Sequence, residues 1–207
     1  MSRDDWFRNN RWDDEIAAQF EAKLKRARRK GQYLRIQAST LAATDPPVAL
    51  ALLDRYFAQS DERMLDAPAH VDRATAFMAL GRLEDALNSY EEALKAEAAG
   101  RSILTQAYVD LPYTVSVHGV RHRFDRALQI LREHQERVTF PVESFKWNAA
   151  QAIIAGKKGL RNEAQMFATA ALEAASKDHS GFRYHPTIGL VSDEHAEALQ
   201  QLRTYSH

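Results

Sequence analysis

The chain has 207 residues, with 28 basic and 28 acidic side chains that balance to a formal net charge of zero, and it has no cysteine. That length suits one domain with a substantial core, and the balanced charge gives no global pull toward nucleic acid or an anionic membrane. The missing thiols exclude disulfides, thiolate catalysis and cysteine-ligated zinc, and fit a reducing compartment. The opening residues MSRDDWFRNNRWDDE lack the apolar core of a leader, and the longest apolar run, VALALL at 48–53, is too short to span a bilayer. A cytoplasmic protein is expected.

Along the chain, apolar residues recur at helical spacing, and strand-like alternation is nearly confined to TVSVHGV at 114–120. Trp12, Ile16, Phe20 and Leu24 recur every four residues, which predicts an amphipathic capping helix within residues 1–29. Trp6 and Phe7 precede it and are expected to pack back over the first hairpin. The segment KLKRARRKGQYLR at 23–35 clusters Lys23, Lys25, Arg26, Arg28, Arg29, Lys30 and Arg35. It reads first as a solvated helix face offset by the acidic Asp13, Asp14 and Glu15. A surface gripping nucleic-acid phosphates through Lys25, Arg26, Arg28 and Arg29 is the alternative.

Four helical hairpins are predicted next, over 30–60, 67–98, 108–137 and 141–176. The first carries Tyr33, Ile36, Ala49, Leu53 and Tyr56, with Asp45-Pro46-Pro47 at its turn, where proline suits a helix start. The second places Val71, Ala74, Phe77, Met78 and Leu80 before Gly81, then Leu83, Ala86, Leu87, Tyr90, Ala93 and Leu94 after it. Alanines on the packing face let two backbones approach closely, and the aromatic fills the wedge that remains. The third holds Phe124, Ala127 and Leu131, with TVSVHGV falling in its first helix. The fourth holds Ala152, Ala155, Gly159, Ala164, Ala168 and Ala171. Gly81 and Gly159 follow a first helix at the same repeat position and predict left-handed backbone. His122 takes that place in the third hairpin, so its turn is expected to be the least regular. In residues 177–207, Gly181, Pro186 and Gly189 make a loop, and Ser192 is expected to cap a final helix that buries Ala196, Leu199 and Leu202.

Ala74, Phe77, Ala86, Tyr90 and Ala93 make the second hairpin resemble a tetratricopeptide repeat, a helix–turn–helix unit of about 34 residues. His70, Arg73 and Ala98 depart from that pattern. The register residue Ala86 has counterparts at Ala49, Ala127 and Ala164, spaced 37, 41 and 37 apart (86−49, 127−86, 164−127). The DDWFRNNRWDDE and FRYHPTIGLV segments look like those of bacterial tetratricopeptide proteins. The resemblance implies an all-α, right-handed superhelical stack of about four hairpins in a single domain, capped at both ends because a repeat stack leaves an apolar face at each end. It implies a concave groove, lined by first helices, that holds a protein segment. Projected onto this chain, the groove residues are Leu34, Ala38 and Leu41; Val71, Thr75 and Met78; Val109, Tyr113 and Ser116; and Lys146, Ala149 and Ile153. The carboxylate-gripping members of the family use Lys, Asn and Arg, where this chain has Leu34, Ala38, Asp72, Val109 and Tyr113, so that ligand is not implied.

No constellation points to catalysis, a metal or a cofactor. His118 and His122 share a helix face, but a metal would need a third ligand such as His134, and Gly119 stands where a metalloprotease pattern needs Glu. His185 has no partner visible in the sequence. GKKGL at 156–160 lacks the upstream Gly and the Ser or Thr of a phosphate loop. A non-enzymatic interaction module is the expectation, with another protein as its partner.

Overall fold

The computed structural model describes residues 5–59, 63–100 and 102–205. Among them every regular element is helical, and the chain divides into two compact units, one ending at Ala107 and one beginning at Tyr108. A single continuous domain is the sequence expectation. Two units arise because hairpins joined by short turns make most of their contacts with their immediate neighbours.

The first unit contains α1 (Asp14–Arg26), α2 (Lys30–Leu41), α3 (Pro46–Gln59), α4 (Asp66–Ala79) and α5 (Leu83–Ala98). Asp13 caps α1, its Oδ1 accepting from the Ile16 N–H at 2.8 Å. Helices α2 and α3 form one hairpin, and α4 and α5 the next. Phe20 and Leu24 of α1 join Leu34, Ala38, Leu41, Leu53 and Tyr56 in one core, and Trp6 and Phe7 pack against it as expected. Trp12, expected in the capping helix, packs there too but stands ahead of the α1 cap Asp13. The Tyr56 hydroxyl donates to Asp66 at 2.9 Å, tying the first hairpin to the start of the second.

The second unit contains α6 (Ala107–Val117, its first residue on the boundary), α7 (Phe124–Glu133), α8 (Pro141–Lys157), α9 (Arg161–Ala175) and α10 (Ala196–Arg203). The strand-like TVSVHGV lies in α6 and the turn that ends it, so tertiary context overrides its β propensity. Tyr108 near the start of α6 reaches Arg137 beyond the end of α7, its hydroxyl donating to the Arg137 carbonyl at 3.2 Å, as an antiparallel hairpin requires. Phe145, Ala149, Ala152 and Ile153 of α8 share a core with Ala168 and Ala171 of α9 and with Ala198 and Leu202 of α10.

Gly81, with φ of 69°, and Gly159, with φ of 79°, adopt the left-handed backbone predicted for them. Each makes the same double bond: Gly81 N–H to Met78 O with Arg82 N–H to Phe77 O, and Gly159 N–H to Gly156 O with Leu160 N–H to Ala155 O. In the third hairpin Gly119, with φ of 67°, does this rather than His122. The turn lies three residues ahead of the place that the Ala127 register predicts, because a short 3₁₀ segment, Arg121–Arg123, intervenes before α7. Pro112 inside α6 adds to the irregularity of that hairpin. The last helix also starts later than expected. A 3₁₀ turn, Asp193–His195, precedes α10, and the Ser192 side chain makes no capping bond.

Candidate functional site

Three first helices share a stripe at fixed distances from the turn glycine. Val71, Thr75 and Met78 stand 10, 6 and 3 residues before Gly81, and Val109, Tyr113 and Ser116 stand likewise before Gly119. Ala149, Ile153 and Gly156 occupy the same places before Gly159. Spacing of four and then three puts each trio on one helix face. Their surroundings differ. Val71, Thr75 and Met78 are half-buried, as is Tyr113, whereas Val109, Ser116, Ala149 and Ile153 are fully buried. Leu34, Ala38 and Leu41 of α2 are likewise core residues, packed with Phe20 and Leu24. Leu34, Leu41, Val109, Ser116 and Ile153, expected to line a groove, therefore present no surface to a partner. The reason is tertiary: the stripe is apolar enough to be core, and in several places the rest of the chain covers it.

On α8 the covering element is α10. Ala198 and Leu202 share the core with Ala149 and Ile153, and the Tyr205 ring lies over Gly156, where an added Cβ would collide with Tyr205 Cε1. Glycine is what permits that approach. The strand of chain entering α10 reaches α6 as well. Tyr113 Oη and His195 Nδ1 are 3.0 Å apart, their rings meet edge-on at 5.3 Å, and His195 also faces Phe145 at 5.2 Å. His195 is only 4% exposed, and its Nε2 has no hydrogen-bond partner, although Glu194 Oε1 approaches to 3.3 Å. Burial lowers the His195 pKa below its ordinary range; the Lys146 ammonium lowers it further and Glu194 opposes. The imidazole is therefore neutral at pH 7. Burial pushes the Tyr113 phenol well above its usual range, with Glu194 and Glu197 adding to the shift.

Each unit also carries an ion pair between first helices. Arg35 of α2 donates to both oxygens of Asp72 on α4, at 2.6 and 3.3 Å. Lys146 of α8 donates to Asp110 of α6 at 2.9 Å. Asp72 and Asp110 both stand nine residues before their turn glycine (81−72, 119−110). Burial raises both carboxyl pKa values, against the pull of the paired cation in each case. These pairs link neighbouring first helices but add little net stability, since burying two charges costs about as much as their attraction returns.

The remaining candidates are scattered. His118 and His122 are exposed, His134 meets Tyr108 edge-on at 6.0 Å, and His185 sits in an exposed loop. Among the described residues no three His, Asp or Glu side chains come together in an arrangement suited to a metal ion. Lys25, Arg26, Arg28 and Arg29 are all exposed at the end of α1 and the start of α2, whereas Arg35 is held by Asp72. Sequence reading overlooked His195, which lies just ahead of a short helix where no periodicity marks it. It also overlooked two exposed apolar sets, Met64 with Ile103 and Leu104, and Phe182 with Tyr184 and Ile188. Ile103 is pinned to Met64 by an N–H to carbonyl bond of 3.0 Å. Among the described residues no helix is long and apolar enough to cross a membrane. No protein-family model, curated protein or solved structure matches the chain.

Proposed function

We propose that this protein is a non-catalytic interaction module, a tetratricopeptide-like superhelical stack of helical hairpins that holds a segment of another protein on one first helix, α4. The observation that carries the reading is the stripe Val71, Thr75 and Met78 on α4, which keeps solvent access although the equivalent stripe on α8 is a helix-docking surface within the same chain. On α8 the docked element presents Ala198, Leu202 and Tyr205, spaced by four and three. The α4 stripe therefore suits a partner helix with small or apolar residues at that spacing, in the manner of helix-in-groove recognition. The lack of cysteine goes with a cytoplasmic location. Capture of partners from native lysate by the intact protein and by a Val71→Asp, Met78→Asp variant tests the reading. A partner lost from the variant while its helical content and melting temperature stay unchanged supports it. A partner retained by the folded variant, or a variant that fails to fold, removes α4 as the site.

A second reading has its own observation. Lys25, Arg26, Arg28 and Arg29 are exposed, and the acidic residues 13–15 that were expected to offset them lie at the opposite end of α1. Eleven residues of helix separate Glu15 from Arg26 (26−15), about 16 Å at the α-helical rise and beyond the screening length of physiological salt. Residues 13–15 thus leave the charge of Lys25, Arg26 and Arg28 in place, and these exposed side chains can contact nucleic-acid phosphates. Binding to single-stranded RNA that weakens steeply between low and physiological salt supports this reading, and salt-independent binding or none excludes it.

A further inference from the structure

The N-terminal arm is held on α2 in a way that the α4 reading neither uses nor needs. Residues 5–8 form a tight turn closed by the Arg8 N–H on the Asp5 carbonyl at 3.0 Å. The turn presents Trp6 and Phe7, each with its ring 4.8 Å from that of Tyr33 on α2, and Trp6 also lies 5.4 Å from Phe20 of α1. The chain then passes Gln37, one turn further along α2. Gln37 Oε1 accepts from the Asn9 N–H at 3.0 Å and from Asn9 Nδ2 at 2.9 Å, and Gln37 Nε2 donates to the Asn9 carbonyl at 2.7 Å. A fully buried carboxamide is thus matched to both backbone groups of one residue and to its side chain.

That pattern is peptide recognition performed within one chain. An apolar side chain at position 37 would fill the space without demanding a partner, so a buried Gln there contributes specificity more than stability, because an unmatched segment leaves its amide unpaired. Two adjacent aromatics supply the contact area and a paired peptide unit sets the register, as at interfaces where one segment is read by a pocket and by backbone bonds. We infer that the Tyr33–Gln37 face of α2 is a peptide-recognition site, occupied here by the chain's own arm and open to a partner segment of the same chemistry: two consecutive aromatic residues followed, after one residue, by a non-proline amide-bearing residue. The own arm competes from a short tether, at an effective concentration in the millimolar range, so it restrains binding until a partner displaces it.

The test uses the full chain and a labelled synthetic peptide of residues 5–13. A Trp6→Ala, Phe7→Ala, Asn9→Pro variant removes both rings and the Asn9 donors, vacates the face and should bind the peptide saturably at one to one, read by fluorescence anisotropy. The wild-type chain should bind it at least about tenfold more weakly, because its own arm competes. Adding Gln37→Ala to the vacated variant should weaken binding by about tenfold, the worth of the lost amide pairing. A folded vacated variant that binds no peptide overturns the inference, and so does equal affinity with and without Gln37. Loss of fold in the vacated variant overturns it as well, since an exchangeable ligand is not required for folding. An arm-exchanged wild-type dimer, seen by size-exclusion chromatography at rising concentration, reassigns the site to a second copy of this chain.

Discussion

The first helices of the two units carry the same stripe and treat it differently. On α4 of the first unit, Val71, Thr75 and Met78 are half-buried, whereas on α8 of the second unit Ala149 and Ile153 lie beneath α10 and Gly156 beneath Tyr205. The side chains match the difference at two of the three places: α8 has Ala149 and Gly156 where α4 has the longer Val71 and Met78, while Ile153 is the larger residue at the place of Thr75. An amphipathic hairpin thus defines a surface that something can cover, and the remainder of the chain decides whether it is covered in cis.

The largest expected effect separates the two stripes directly. Ile153→Ala should cost about 2–5 kcal/mol, as a large-to-small change in a closed core, while Met78→Ala should cost well under half as much because its site is partly solvated. Urea midpoints for the two variants check this, and equal losses would make the α4 stripe core as well. Next in size is the alanine register. Ala86 and Ala164, one in each unit, are no more than 1% exposed at helix contacts, so replacement of either by Leu should cost about 1–3 kcal/mol. Ala98 at the exposed end of α5 should tolerate Leu with little change in melting temperature.

The polar contact peculiar to the second unit gives a similar or smaller effect. Tyr113→Phe removes the hydroxyl facing His195 Nδ1 and leaves that nitrogen buried without a partner, at about 1–3 kcal/mol. If thermal melts show no loss, water replaces the hydroxyl and the cover over α6 is looser than described. The smallest effect is in pH. His195 in the second unit and His70 in the first, stacked on Phe57 at 4.5 Å, both have pKa values lowered from 6.5, with burial the first cause. Each group binds its proton more readily unfolded than folded, so its contribution to stability is full above about pH 6.5 and is lost as the pH falls below it. His195→Phe and His70→Phe should each flatten the stability–pH slope between pH 5 and 7. Comparing the two slopes shows which unit yields first to acid.

Local signals carried most of the helical layout. The hairpin turn at Gly81 was legible because a helix followed by a positive φ calls for glycine, and Pro46 and Pro47 marked the start of α3 for an equally local reason. The turn in the third hairpin falls at Gly119 and not at His122, because an inserted 3₁₀ segment that leaves no apolar trace breaks the register set by Ala127. The expected groove was legible only as a set of stripes. Leu34 and Ile153 look like Val71 in a helical projection, yet they are core residues and Val71 is only half-buried.

What the sequence determined by itself is what a few consecutive residues can encode: helical periodicity, the glycine turns with their paired backbone bonds, and alanines where helices meet. Tertiary structure alone decided what lies over those helices. Asn9 reaches Gln37 across 28 residues and Tyr113 meets His195 across 82, and neither separation has a periodicity that a local pattern could reveal. A stripe of apolar side chains encodes a demand for burial, which the hydrophobic effect imposes without direction. Which segment meets that demand depends on where the chain's own ends return, and that is settled by the packed three-dimensional fold.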